Sequence, residues 1–515
     1  MLTADGNFWI AQSADGQLSI APKMANRHGL IAGATGTGKT VSLQILAETF
    51  SQAGVPCFMS DIKGDLSGIS QPGKMTDFIA KRCQQFQIAS PRFAPCPTRF
   101  FDVFGKQGHP LRTTISAMGP ILLARLLELN ETQTGVLHIV FRIADENNLL
   151  LIDIKDLRLM LDYVSKHRQE YTSYGNITVA TIGAIERGLL TLENQGGDAF
   201  FGEPDFDVLD FIAQENDRGV INILAADELT QKQKLYSTFL LWLLTSLYSK
   251  LPEVGDLDKP KLVFFFDEAH TIFEGTSKAL IDQIEQVVRL IRSKGVGVYF
   301  VTQLPTDLSP NVLGQLGNRV QHALHAFTPK DRKAVKTAAD TFRPNPALNT
   351  AEAIQSLGIG EALVSFLDES GTPGIVQRAS MLFPLSQIGA ITADQRACVI
   401  AASPLRGKYD QAIDRESAYE VLTARNEEEQ NAKAEAKHAR KKTSRGKSRP
   451  SADKVIETTV GTTIGAIGRE IGGALGKKAL GNKVGGSVGR SIGGSVGRSI
   501  GDTILRGLLG VFSHR

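Results

Sequence analysis

Cysteine is scarce in this chain. There are four in 515 residues, Cys57, Cys83, Cys96 and Cys398, and no two form a C-x-x-C pair. That fits structural thiols in a reducing compartment rather than a disulfide framework. Long hydrophobic runs are missing too. The longest, Phe239 to Leu247, is "FLLWLLTSL", well short of the ~20 residues that span a bilayer, and reads as a buried helix. A surplus of charge of either sign is also absent: 57 Lys and Arg against 54 Asp and Glu leave a net +3. A nucleic-acid reading therefore needs a local patch and cannot rest on bulk charge. The opening "MLTADGNFWI" lacks the basic region and apolar core of a signal peptide. The expectation is a soluble, cytoplasmic protein.

What remains is ordinary globular composition, 42% hydrophobic and 22% charged, in a chain long enough for roughly three units of about 150 residues. The informative stretch is "HGLIAGATGTGKTVSLQ", from His28 to Gln44. Gly33, Ala34, Thr35, Gly36, Thr37, Gly38, Lys39 and Thr40 fill G-x-x-x-x-G-K-[ST], and Val41 opens the following run. A short apolar segment precedes the loop, as a buried strand would. Helically spaced Val41, Leu43, Ile45, Leu46 and Phe50 follow, with Gly54 as a stop. In such a loop backbone N–H groups and a helix N-terminus face phosphates. Lys39 would reach the β- and γ-phosphates of ATP, and the Thr40 hydroxyl would hold Mg²⁺.

A second acidic strand end completes the pattern. In "KLVFFFDEAH", Leu262 to Phe266 read as a central parallel strand buried on both faces. Asp267 then stands at its C-terminal end, on Mg²⁺, and Glu268 is placed as the general base for an attacking water. "VPCFMSDIKGDLSG" reads as the strand after the P-loop helix, its end carrying Asp61, Lys63 and Asp65 beside the P-loop. Asp61 would assist the Mg²⁺ or water shell, or merely cap a loop. "KGVGVYFVTQLPTDL" is a further strand, ending in Gln303, which is placed to orient water or sense hydrolysis. Arg289 and Arg292 end an amphipathic helix, where they suit its dipole or serve a neighbouring subunit's nucleotide. Arg319 and His322, in "NRVQHALHAF", are read as facing nucleotide, a neighbour, or neither.

Taken together, "GATGTGKT", "SDIKGDLSG", "VFFFDEAH", "RLIRSKGVGVYFVTQLP" and "LGQLGNRVQHAL" resemble the HerA–FtsK group of P-loop motors, in particular bacterial HerA-like ATPases, over nearly all of residues 20–400. The resemblance implies a hexameric ring that uses ATP to move double-stranded DNA through its pore. It also implies Lys39 and Thr40 on nucleotide and Mg²⁺, Asp267 on Mg²⁺, Glu268 as base, Gln303 as sensor and Arg292 acting in trans. HerA proteins carry a small β-barrel before the motor that docks a nuclease. Here about 28 residues precede the P-loop strand, enough for one hairpin around Asp15-Gly16, which puts a nuclease partner in doubt. The letters D-E-A-H do not signal the helicase family named for them, whose other motifs are missing.

The expected fold is α/β: a RecA-like P-loop NTPase core with a central, mostly parallel sheet, a helical insertion and a low-complexity C-terminal tail. The expected division is a hairpin over 1–27, the P-loop half over 28–109, a mainly helical insertion over 110–218 and the Walker B half over 219–408. A charged helix and basic linker follow over 409–455, then a glycine-rich repeat tail over 456–515. Lys441, Lys442, Arg445, Lys447 and Arg449 make the linker basic. In the tail "GGSVGRSI" occurs twice in succession and glycines recur every fourth residue from Gly481 to Gly501. Three readings stand for it: low-complexity tail, self-association zipper, or membrane-surface anchor. The main functional expectation is an ATP-driven DNA translocase. The alternatives are a motor docked to membrane or protein by its tail, and a nucleotide-controlled scaffold with slow hydrolysis.

Overall fold

The computed structural model describes residues 1–444 except 256 and 275–277. It divides into two units, Met1–Arg415 and Glu416–Arg515. In the second, the described residues are Glu416, Ser417 and the helix Ala418–Ser444. The remainder of the basic linker and the whole glycine-rich tail lie outside the described residues.

The first unit is built on one sheet. Its strands are β1 (Phe8–Ser13), β2 (Gly16–Ile20), β3 (Gly29–Ala32), β4 (Cys57–Asp61), β5 (Thr98–Asp102) and β6 (His109–Pro110). A separate two-stranded ribbon, β7 (Gln214–Glu215) with β8 (Arg218–Gly219), lies outside that sheet. The sheet continues with β9 (Ile221–Ala225), β10 (Leu262–Phe266), β11 (Val296–Thr302), β12 (Asn318–Gln321), β13 (Glu361–Ser365) and β14 (Gln377–Met381). Its order is β2-β1-β14-β13-β12-β3-β11-β10-β4-β9-β5-β6. From β12 to β6 every pairing is parallel, and from β12 outward to β2 every pairing is antiparallel. The mostly parallel α/β core expected from the motifs is therefore present.

Burial on both faces explains the apolar central strands. Every residue of β4, β9, β10 and β11 is buried. Side chains alternate between faces. Phe265 and Tyr299 pack on Phe50 of the helix Lys39–Gln52, with ring centroids 6.0 and 5.7 Å away. On the other face Phe58 meets Phe264 at 5.1 Å, and Ser60 hydrogen-bonds Tyr236 of the helix Gln233–Lys250. Each fully buried phenylalanine contributes about 1.5–3 kcal/mol.

One placement differs from the sequence expectation, that of β4. The N-terminal hairpin joins the main sheet, β1 pairing with β14, Ala11 opposite Met381. Its Phe8 ring packs on Phe50 at 5.2 Å. Strand β4 does not lie beside the P-loop strand. Two strands, β11 and β10, intervene, so Asp61 neighbours the end of β10 instead. Residues 110–218 hold the helices Ile115–Leu126, Glu131–Glu146, Ile154–Lys166 and Val179–Asn194. Among the described residues no helix is long and apolar enough to cross a membrane.

Candidate nucleotide site

The parallel strands bring three segments side by side at their C-terminal ends. β11 pairs with both β3 and β10, so Gln303 lies between the P-loop after β3 and Asp267 after β10. Strand spacing of about 4.8 Å puts the loop and Asp267 roughly 10 Å apart, a span that a triphosphate bridges.

The P-loop needs its glycines. Gly33, Gly36 and Gly38 have φ of 154, 80 and 112°, values that side chains other than hydrogen rarely accept. A Cβ on Gly33 would stand 2.5 Å from the His322 Cβ and 3.0 Å from Thr37 Oγ1. The loop is tied to its neighbours by Gly33 N–H donating to the Thr302 and Gln303 carbonyls and by Ala34 N–H donating to the Ala323 carbonyl. Thr35 and Gly36, at the apex, are exposed. Lys39 Nζ donates to the Gly33 and Ala34 carbonyls at 2.7 and 3.1 Å. Burial lowers its pKa, against the pull of Glu268 and with the push of Lys63. Thr40 and Val41, in the first helical turn, are half-buried.

His322 sits beneath this loop. Its Nδ1 is 2.9 Å from the Glu361 carbonyl and its Nε2 is 2.9 Å from Ser42 Oγ. Burial pulls its pKa down to about 4, so the ring is neutral. Nδ1 must donate to the carbonyl, and Nε2 then accepts from Ser42. Of the two residues left open by the sequence, His322 thus supports the loop. Arg319 instead donates to the Leu313, Leu316 and Thr341 carbonyls, bracing the turn before β12.

The acidic side holds Asp267 and Glu268, 3% and 6% exposed. Burial, then the Glu268 charge, raises Asp267 to about 6. Its Oδ2 is buried with no hydrogen-bond partner. An orphaned carboxylate oxygen is the donor a hard cation takes, and with the Thr40 hydroxyl it fits Mg²⁺, which keeps several waters and phosphate oxygens in its shell. No group of three or more His, Cys, Asp or Glu side chains suited to a metal occurs among the described residues.

Glu268 has φ of 46°, in the left-handed region. Its Oε1 is 2.5 Å from Lys63 Nζ and its Oε2 is 3.4 Å from His270 Nδ1. Burial opposes its charge, but the Lys63 hydrogen bond and the Lys63, Lys39 and His270 charges prevail and hold its pKa below the usual range. Asp61 is committed to the loop that carries Lys63: its carboxylate accepts from Gly64 and Leu66 N–H at 2.8 and 3.2 Å. Burial and the Asp65 charge raise Asp61 to about 7. The cap reading of Asp61 matches this geometry, and the Lys63–Glu268 contact was not visible in the sequence.

Gln303 is exposed. It lines a cavity of about 370 Å³ with His270, Phe273, Glu274, Leu304 and Asp307. Arg292 is not brought to this site. It begins the short 3-10 turn Arg292–Lys294 before β11, near His28 just before β3, whose pKa burial and then the Arg292 charge pull down to about 4. His28 precedes the four-residue β3, about 13 Å from that strand's C-terminal end, and Arg292 precedes the seven-residue β11, about 20 Å from its end.

The model of the family described as "Helicase HerA-like C-terminal" matches residues 7–515. The chain belongs to this family. Among curated relatives, the HerA-like chain is 22% identical over 372 residues to the DNA double-strand break repair helicase HerA of Sulfolobus acidocaldarius, covering 68% of this chain and 64% of that one. It is 31% identical over 118 residues to a probable helicase of Methanocaldococcus jannaschii, covering 21% and 22%. It thus spans less than two thirds of the length of these relatives. Among solved structures it is similar to the bacterial conjugative coupling protein TrwB, at TM-score 0.48 and 14% identity, covering 74% and 90%. It is also similar to VirB4 of Thermoanaerobacter pseudethanolicus, at TM-score 0.47 and 13% identity, covering 77% and 99%.

Proposed function

We propose that this HerA-like chain hydrolyses ATP and uses the cycle to move along double-stranded DNA as a ring of six copies. The observation that carries the chemistry is the row of P-loop, Gln303 and Asp267-Glu268 on adjacent strand ends. In this reading the loop's N–H groups cradle the phosphates, and Lys39 turns from its carbonyls to the β- and γ-phosphates. Glu268 takes a proton from water as the water oxygen bonds to the γ-phosphorus. The bond to the bridging oxygen breaks, and ADP and phosphate leave. Mg²⁺, when bound through Thr40 and Asp267, neutralises phosphate charge. Gln303 orients the water. In this reading Arg292, far from its own chain's loop, serves a neighbour's nucleotide.

Family membership and the curated names of relatives as DNA repair helicases support DNA as the track. The test is steady-state ATP hydrolysis with and without duplex DNA, alongside Lys39→Ala. Several-fold stimulation that Lys39→Ala abolishes, and that fades steeply with salt, is the expected result. Lys39-dependent hydrolysis indifferent to DNA would remove the track and keep the ATPase; hydrolysis indifferent to Lys39 would remove both.

A further inference from the structure

We infer that Lys63 is a latch on Glu268, restraining hydrolysis until an anion draws its ammonium away. The inference rests on the ATPase reading above and names the regulation of that site.

A general base must present a carboxylate oxygen to water. Neither oxygen of Glu268 does so. Oε1 is taken by Lys63 Nζ at 2.5 Å, and Oε2 is buried, facing His270 Nδ1 at 3.4 Å. An oxygen already accepting from an ammonium is a poor acceptor for a water proton. The two partners differ sharply in access. The Glu268 side chain is 7% exposed and that of Lys63 is 49% exposed. The contact therefore opens from the lysine side, where an incoming anion reaches it first.

The surroundings suit a part with two positions. Lys63 rides on a turn that Asp61 fixes through Gly64 and Leu66 N–H, so its backbone stays while its long side chain swings. Glu268 holds a positive φ, a conformation that side-chain-bearing residues keep only where neighbours impose it and that recurs at switch regions. The releasing chemistry is a phosphate oxygen. It comes from the backbone of DNA, because a latch opened by the nucleotide's own terminal phosphate would restrain nothing once ATP is bound.

The experiment measures ATP turnover of the full chain at saturating ATP, with and without duplex DNA, for wild type, Lys63→Met and Lys63→Arg. Lys63→Met is expected to raise the DNA-free rate about five- to thirty-fold, the weight of one charge-assisted hydrogen bond at a half-exposed position. ADP affinity should stay unchanged. Lys63→Arg should restore the restraint. In a Glu268→Gln background Lys63→Met should raise nothing, because the latch acts through that carboxylate. If DNA adds no further stimulation to Lys63→Met, DNA phosphate is the releasing anion and the latch stands; stimulation of Lys63→Met in the same proportion as wild type shows that DNA acts elsewhere and overturns it. A DNA-free rate in Lys63→Met at or below wild type, with ADP still bound, overturns it. Hydrolysis that survives Lys39→Ala would instead indict the ATPase reading itself.

Discussion

Two alanines placed three residues apart in the P-loop should have unequal effects, and the structure says by how much. Gly33 and Gly36 both have positive φ, 154 and 80°, so alanine at either forces a backbone cost of about 1–2 kcal/mol. At Gly36 nothing lies within 4 Å of the added methyl, and the cost ends there. At Gly33 the methyl lands 2.5 Å from the His322 Cβ, where carbon atoms settle at about 3.5–4.0 Å. Something must move by about an ångström. His322 is held at both ring nitrogens by Glu361 and Ser42, so the loop yields first. Overpacking of this kind costs about 1–3 kcal/mol more. The distortion falls on the phosphate-binding N–H groups. ATP should therefore bind Gly33→Ala about 5- to 150-fold more weakly than Gly36→Ala, at about 1.4 kcal/mol per decade. Calorimetric titration with ADP and with a non-hydrolysable ATP analogue reads the difference. Equal affinities within a factor of about two would refute the claim that His322 supports the loop from below.

Other perturbations separate the remaining roles. Glu268→Gln should lower turnover by about 10²- to 10⁴-fold while retaining ATP binding; a variant turning over at the wild-type rate removes Glu268 as base. Arg292→Ala should leave nucleotide affinity unchanged and lower turnover. Mixing it with Lys39→Ala subunits should restore part of the rate if Arg292 serves a neighbour, and unrestored activity in a mixed assembly would refute that. Asp61 has a folded pKa raised from 3.8 to about 7, so between those values the folded state holds a proton the unfolded state has lost. Stability conferred by that group is present below about pH 4 and declines as pH rises to about 7. Asp61→Asn should flatten this slope in denaturant titrations across pH, and an unchanged slope would show that other groups set it.

The legible parts of the site were those written in contiguous residues. The P-loop, the Asp267-Glu268 strand end and Gln303 each follow an apolar run long enough to read as a buried strand, and each stands at the C-terminal end of its strand. Strand order was less legible. Asp61 follows the P-loop helix directly in sequence, yet β11 and β10, from far downstream, insert between β3 and β4. Adjacency along the chain gave no warning of that insertion. β5 and β6 were missed because "TRFFD" is short and β6 has two residues, too little for periodicity to register. The Lys63–Glu268 pair joins segments about two hundred positions apart, which no local pattern encodes. His322 was singled out, but its role depended on the loop closing over it.

The pairing of β1 with β14 has a consequence for the ribosome. Ala11 of the hairpin emerges about 370 residues ahead of its partner Met381. The P-loop strand is likewise flanked only by β11 and β12, both made well after it. At about 5–20 residues per second, the nascent loop waits for tens of seconds before either flank arrives. An interrupted translation product ending before β11 carries the whole P-loop and neither of the strands that flank β3. Such fragments should fail to bind nucleotide, so abortive synthesis yields no uncoupled ATPase.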